Sequence, residues 1–288
     1  MGEDLTKIKR RISSISSTRK ITNAMELVSS AKLRVKKRMM DNVVEYSKMV
    51  EDIIFSCLKQ TDITDSKLYS LTCENKKTDK DLYVVITSTL GLCGGYNYNV
   101  CKYLSTLVKQ DDEVIVIGSK GLSKVDRNVV KVEEEYSSLM DEFDYSKVKM
   151  LNQVLQNSYI EGKYAHIYLV YTHFKNSLTF VPTCYKIFPF IAEDNGTVEF
   201  GYPPIYCPNQ KEVLDLLIPK YIDSIVFEKI AESLVSEEGS RRNAMENATD
   251  NADELNKQLK LVYNKARQAA ITSEINEIMS GRLNKDDE

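Results

Sequence analysis

Apolar residues near the start of the chain recur in steps of three and four. Leu5, Ile8, Ile12 and Ile15 open the series, and Ile21, Met25 and Val28 follow. Val35, Met39, Val43, Tyr46, Val50, Ile53 and Cys57 continue it. This spacing lays one apolar stripe along an α-helix. The stretch has no proline, and no glycine after Gly2, so nothing punctuates it. Only the polar group Ser16-Ser17-Thr18-Arg19-Lys20 breaks the stripe. At the rise of an α-helix, the element spans roughly 80–85 Å.

The far end of the chain repeats the pattern. Met245, Ala248, Ala252, Leu255, Leu259, Val262, Ala266 and Ala269 alternate steps of three and four. That is an a/d seam of about four heptads, and its alanines call for a close partner helix. A start or kink is predicted near Pro219, with Gly239 tolerated inside the helix at a cost of about 1 kcal/mol.

Between these helices the pattern changes to α/β. Leu82-Tyr83-Val84-Val85-Ile86 and Glu113-Val114-Ile115-Val116-Ile117-Gly118 read as buried parallel strands. A glycine-containing turn and a helix to about Val108 separate them. A helix near Tyr145–Glu161 precedes a strand at Ala165–Tyr171, which pairs with Leu178–Ile187 through the turn Lys175-Asn176-Ser177. Residues 191–210 read as a loop. The fold class predicted is therefore α/β: terminal helices paired as a long antiparallel coiled coil, with a small Rossmann-like α/β domain inserted between them. The boundaries are 1–60 for the first helix, 61–210 for the α/β domain and 211–288 for the last helix. A rod with a bulge at one end follows, a structural form with no call for catalysis.

Charge adds one feature. The net charge is −3, yet residues 1–40 hold eleven Lys/Arg against three acids. An acidic protein partner fits this segment. Aromatic residues do not interleave with the basic ones before Tyr46, which argues against a single-stranded nucleic-acid platform. There is no apolar run long enough for a membrane span and no signal peptide, so a bacterial-type cytoplasm is expected. The six cysteines lack zinc spacing and are expected to be free, mostly buried thiols.

Candidate chemistry centres on Ser88-Thr89-Leu90-Gly91-Leu92-Cys93-Gly94-Gly95-Tyr96-Asn97, between a strand and a helix. A glycine-rich turn there could cradle a phosphate. Its spacing is not that of a dinucleotide fingerprint, and Gly118-Ser119-Lys120 stands where an acid would be needed. Gly91, Gly94 and Gly95 are read as a structural βα turn. Cys93 has no histidine beside it in sequence. His166 and His173, seven apart on a strand, face opposite sides and are read as surface or turn residues. Glu133-Glu134-Glu135 and Asp286-Asp287-Glu288 are read as solvated charge runs. No catalytic, cofactor or metal site is expected.

Motifs at both ends and in the middle now identify a family. Ile8-Lys9-Arg10-Arg11-Ile12 with Lys20-Ile21-Thr22-x-Ala24-Met25-Glu26-Leu27-Val28-Ser29 resembles the N-terminal helix of F-type ATP synthase γ subunits. Glu232-Ser233-Leu234-x-Ser236-Glu237, Arg242-x-Ala244-Met245-x-x-Ala248-Thr249-Asp250-Asn251-Ala252 and Leu261-Val262-Tyr263-Asn264-Lys265-Ala266-Arg267-Gln268 resemble its C-terminal helix. Gly91-Leu92-Cys93-Gly94-Gly95-x-Asn97 is similar to the first βα turn of its central domain.

The resemblance implies a rotor. Its coiled coil enters a hexamer of α and β subunits, and its α/β foot meets the ε subunit and the ring of c subunits. The chain then couples ATP synthesis or hydrolysis to proton transport from the cytoplasmic face of the membrane. Positions matching Met25, Arg267, Gln268 and Thr272 face the catalytic ring. The family usually carries Asp-Arg where this chain has Thr89-Leu90, so an ionic contact there is lost. Two alternatives remain: the rotor of a divergent F-type-like ATPase driving other machinery, and a coiled-coil adaptor unrelated to ATPases. No role is assigned to the tail Leu283–Glu288.

Overall fold

The computed structural model describes residues 2–58, 71, 77–125, 131–133, 136, 144–190 and 205–283. The readings made for Cys73, Glu134, Glu135, the greater part of the loop 191–210 and the tail beyond 283 fall outside those residues. So does the side chain of Cys57. Helix α1 runs from Gly2 to Leu58 and α4 from Gln210 to Leu283, with β1 (Asp81–Ile86), α2 (Tyr96–Leu107), β2 (Glu113–Ile117), β3 (Lys131–Glu133), α3 (Tyr145–Ile160), β4 (His166–Phe174) and β5 (Phe180–Phe188) between them. Contacts divide the chain into two units, Met1–Ser29 with Arg242–Glu288, and Ser30–Arg241.

The second unit holds a five-stranded sheet in the order β3-β2-β1-β4-β5. The first four strands are parallel, and β5 is antiparallel to β4. Because strand side chains alternate, each central strand feeds two cores. Leu82, Val84, Ile86, Ile167 and Leu169 face α3 and α4, where they meet Leu151, Leu155, Ile222 and Val226. Tyr83, Val85, Val114, Val116 and Val170 face Val100, Cys101 and Leu104 of α2. Burial on both sides explains why these strands read as unbroken apolar runs. Strand β3 was not foreseen: Glu133 pairs with Ile115 in the sheet instead of belonging to a solvated charge run.

Helix α4 begins one residue from the expected start, at Gln210, and passes through Pro219 without ending. Asn209 and Glu212 cap it reciprocally. The Glu212 amide donates to Asn209 Oδ1 at 2.9 Å, and Asn209 Nδ2 donates to Glu212 Oε1 at 2.7 Å. Leu214, Ile218 and Ile222 bury the turns on either side of Pro219, offsetting its missing amide. Gly239 has a packing reason. A Cβ there would lie 2.8 Å from the Phe180 ring. Among the described residues, no helix is long and apolar enough to cross a membrane.

In the first unit the two helices run antiparallel, since Arg19 meets Asp253 and Thr22 meets Thr249. The inner face differs from the expected seam. Met245, Ala252, Leu259 and Ala266 stay on it, but the alternate positions fall one residue later, at Thr249, Asn256 and Tyr263. Leu255 and Val262 are left 47% and 50% exposed. On α1 the series Leu5-Ile8-Ile12-Ile15 continues without a break into Arg19, Thr22, Glu26 and Ser29. Ile21 and Val28 point out, at 60% and 54% exposure. Counting apolar residues alone misplaced the seam because half of its members here are polar.

Candidate functional site

Within the first unit, Thr22, Ser29 and Thr249 are buried between the helices alongside apolar residues such as Met245, while several large apolar residues stand outside. Thr22 Oγ1 and Thr249 Oγ1 lie 2.8 Å apart, both buried. One hydroxyl donates to the other, and the acceptor keeps its proton for a backbone carbonyl of its own helix, Arg19 O or Met245 O. One turn away, Arg19 Nε donates to Asp253 Oδ1 at 2.5 Å. This hydrogen bond holds the Asp253 carboxyl below its usual range and raises the guanidinium further. The buried Oδ1 of Asn256 has no hydrogen-bond partner among the described residues.

Outside, the same helices present Ile21, Leu27 and Val28 on α1 and Leu255, Leu261, Val262, Ile271 and Ile275 on α4, all exposed. Lys7, Lys9, Arg10, Arg11 and Lys20 are also exposed on α1. Exposed apolar side chains in this number suit a surface that meets a partner. The residues singled out from the sequence lie on or beside it. Arg267, Gln268 and Thr272 are exposed, and Met25 is half-buried. The Thr272 hydroxyl donates to the Gln268 carbonyl at 2.9 Å, one turn back along α4.

In the second unit the βα turn is fastened from several sides. Gly94 adopts φ +56°, which suits glycine, whereas Leu92 at +61° is a left-handed residue with an exposed apolar side chain. A Cβ at Gly95 would press on the Asn99 amide at 3.1 Å, while Gly91 has open space around it. Arg241 on α4 donates to the Leu90 carbonyl from Nη2 at 3.1 Å and to the Gly91 carbonyl from Nε at 3.3 Å. Ser240 Oγ donates to the Cys93 carbonyl at 2.8 Å. Asn97 receives the Ser88 amide at 2.9 Å and donates to Ser88 Oγ at 2.7 Å.

Arg241 is only 5% exposed and also pairs with two buried carboxylates. Its Nη2 donates to Glu237 Oε1 at 2.6 Å. Its Nη1 lies 3.0 Å from Glu238 Oε2 but out of line for a hydrogen bond, so that contact is coulombic. Lys36 of α1 reaches Glu238 Oε1 at 3.2 Å. Burial pushes the Glu237 carboxyl up, and the charges of Arg241 and Lys36 offset part of that rise. The sequence reading missed Arg241, although its signal was present: carboxylates three and four residues before an arginine on one helix face.

The histidines lie at the surface, as read from the sequence, and each is tied to a carboxylate. His166 Nδ1 is 2.8 Å from Asp81 Oδ1, and His173 Nδ1 contacts Glu232 Oε1. Of the described cysteine side chains, Cys93 and Cys101 are buried, Cys184 is half-buried and Cys207 is exposed. Among the described residues no group of His, Cys, Asp and Glu is arranged to hold a metal ion.

Comparison with known proteins gives a consistent result. The profile of the family described as ATP synthase matches residues 4–282. The chain is 40% identical to the ATP synthase γ chain of Mycoplasma capricolum over 282 residues, covering 98% of this chain and 99% of the relative. It is 36% identical to that of Geobacter metallireducens over 286 residues, covering 96% and 97%. Among solved structures it resembles a chain of the Euglena gracilis mitochondrial ATP synthase rotor, with a TM-score of 0.62 at 17% identity over 94% of this chain and all (100%) of the other. A chain of the Tetrahymena thermophila mitochondrial ATP synthase central stalk and c-ring gives 0.55 at 20% identity over 79% and 99%. These two likenesses bear on the fold.

Proposed function

Since the chain belongs to the ATP synthase γ-chain family, we propose that its paired helices turn within the catalytic hexamer of an F-type ATP synthase, transmitting torque as the central stalk. It is a non-catalytic part of that complex. The carrying observation is the set of apolar side chains left outside the first unit, Ile21, Val28, Leu255 and Val262, while Thr22 and Thr249 are buried between the helices and Arg19 and Asp253 pair at the edge of the seam. An apolar exterior flanked by basic residues suits a sleeve that is greasy and acid-lined. A rotor needs such contacts to be broad and individually weak, so that no single orientation becomes a trap.

In this reading Met25, Arg267, Gln268 and Thr272 meet the α and β subunits. The α/β domain, proposed as residues 61–210, meets ε and the c subunits. The βα turn at Gly91, Gly94 and Gly95 serves packing. The chain itself holds neither nucleotide nor cofactor, and it is peripheral to the cytoplasmic face of the membrane through the complex. Full-length relatives named ATP synthase γ chain do not favour a divergent motor or an unrelated adaptor.

Reconstitution tests the reading. The full chain, mixed with the α and β subunits of its complex, should co-purify with the hexamer and raise its ATPase turnover at least several-fold. A hexamer that neither retains the chain nor changes its turnover would refute the proposal.

A further inference from the structure

Each helix of the first unit carries two overlapping stripes. On α1 the polar series Arg19, Thr22, Glu26, Ser29 faces inward, and the apolar series Ile21, Met25, Val28 lies one residue away. On α4, Thr249 and Asn256 face inward where Leu255 offers an apolar alternative. Around residues 19–29, burial of apolar surface alone favours turning the apolar series into the seam. The structure holds the opposite phase there, the one that also turns Leu5, Ile8, Ile12 and Ile15 inward, and two polar contacts add to that preference. Thr22 and Thr249 share a hydroxyl hydrogen bond at 2.8 Å, and Arg19 pairs with Asp253 at 2.5 Å.

Rotating α1 by one residue, about 100°, would carry both Arg19 and Thr22 away from α4. Polar groups at seam positions are known to select one arrangement of paired helices over another at some expense in cohesion. We propose that Arg19, Thr22, Thr249 and Asp253 are positioning residues that fix the rotational phase of the two helices. They keep Ile21, Val28 and Leu255 outside, where the catalytic hexamer can use them. That the hexamer is the beneficiary rests on the function proposed above; the phase selection itself does not.

The test uses the full chain with spin-labelled non-natural residues at the exposed positions Lys20 and Asn251, which spares the native cysteines. The native chain should give one narrow inter-label distance. The variant Arg19→Ala, Thr22→Ala, Thr249→Ala, Asp253→Ala removes both contacts without adding apolar bulk to the seam, so that Ile21, Met25 and Val28 become the larger apolar series around those positions. Its distance should move by several ångströms, as expected for helices about 10 Å across. Its unfolding midpoint should hold or rise, while its activation of the hexamer falls about tenfold, equivalent to about 1.4 kcal/mol. A purely structural role would lower midpoint and activation together at an unchanged distance, and that result overturns the proposal.

Should the fourfold variant fail to fold, the exchange Arg19→Asp with Asp253→Arg decides. Arg19→Asp alone should shift or broaden the distance, and the exchange should restore it. If the single substitution leaves the distance unchanged, or the exchange does not restore it, the proposal is overturned. The distance is read without the hexamer, so failure of the native chain to bind would reject the rotor reading and leave the phase result standing.

Discussion

Thr22 and Thr249, one from each end of the sequence, place their hydroxyl oxygens 2.8 Å apart in the interior of the paired helices. Two hydroxyls in a helix seam satisfy each other, but they contribute little cohesion. The net worth of a neutral hydrogen bond is about 0.5–1.5 kcal/mol, against about 1.5–3 kcal/mol for burying a Val, Leu or Ile side chain. At this level the seam is therefore a weak adhesive and a specific one. That balance suits helices whose outer faces must meet a partner.

Arg241 gives the most direct stability prediction. Arg241→Ala would leave Glu237 and Glu238, both buried, without their shared guanidinium, and would release the carbonyls of Leu90 and Gly91. Removing one member of a buried ion pair costs about 3–5 kcal/mol. Urea unfolding of the full chain should show a loss of that size. Arg241→Lys should recover only part of it, because an ammonium cannot serve the carboxylates and the turn from one planar fork.

Much of this was legible in the sequence. Buried parallel strands such as Tyr83–Ile86 announce themselves as apolar runs, and helices without proline or glycine announce their length. The phase of the helix seam was hidden, because Arg19, Thr22 and Thr249 look like surface residues until their partners, more than two hundred positions away, are known. Strand β3 was hidden for another reason. Three residues at a sheet edge, two of them charged, carry no periodic signal. Arg241 was recognisable only as the end of a local charge pattern, since its bonds to the βα turn depend on tertiary packing.

Gly118 provides a sharper local test. It follows β2 at φ +94°, and a Cβ there would sit 2.0 Å from the Thr87 carbonyl oxygen. Thr87 is in turn fixed by bonds to the carbonyls of Ile117 and Gly118, at 2.9 and 2.7 Å. A side chain cannot enter without moving two central strands. Gly118→Ala should destabilise the fold by about 3 kcal/mol or more, combining backbone strain with overpacking. Thermal unfolding of the two proteins side by side checks this.

Acid should act on the two units with opposite signs. Burial raises the Glu237 carboxyl, so the folded chain takes up its proton before the unfolded one does. Stability from this group therefore rises as pH falls from neutrality toward the ordinary carboxylate range. The hydrogen bond from Arg19 lowers Asp253, so its contribution is present above the ordinary range, about pH 4, and is lost as pH falls through the lowered value. Stability measured against pH should thus pass through a maximum below neutrality. Asp253→Asn should flatten the acid limb and leave the limb above pH ~5 unchanged.

Arg267 and Gln268 offer a test of the proposed rotor contact. Both are exposed on α4, beside Ala266 on the inner face and Ile271 on the outer one. Neither side chain is buried against α1, so truncating them removes no core packing. Arg267→Ala with Gln268→Ala should accordingly leave the helix content and unfolding midpoint of the isolated chain unchanged. On the function proposed above, the same two side chains hydrogen-bond to the surrounding subunits, with Arg267 suited to a carboxylate. Charged hydrogen bonds contribute about 1.5–3 kcal/mol each, enough to change assembly or ATPase turnover at least several-fold. Circular dichroism on the chain and turnover of the reconstituted hexamer separate the two effects. Normal turnover in the double variant would remove these residues from the rotor contact, and loss of helix content would show that they stabilise the coiled coil instead.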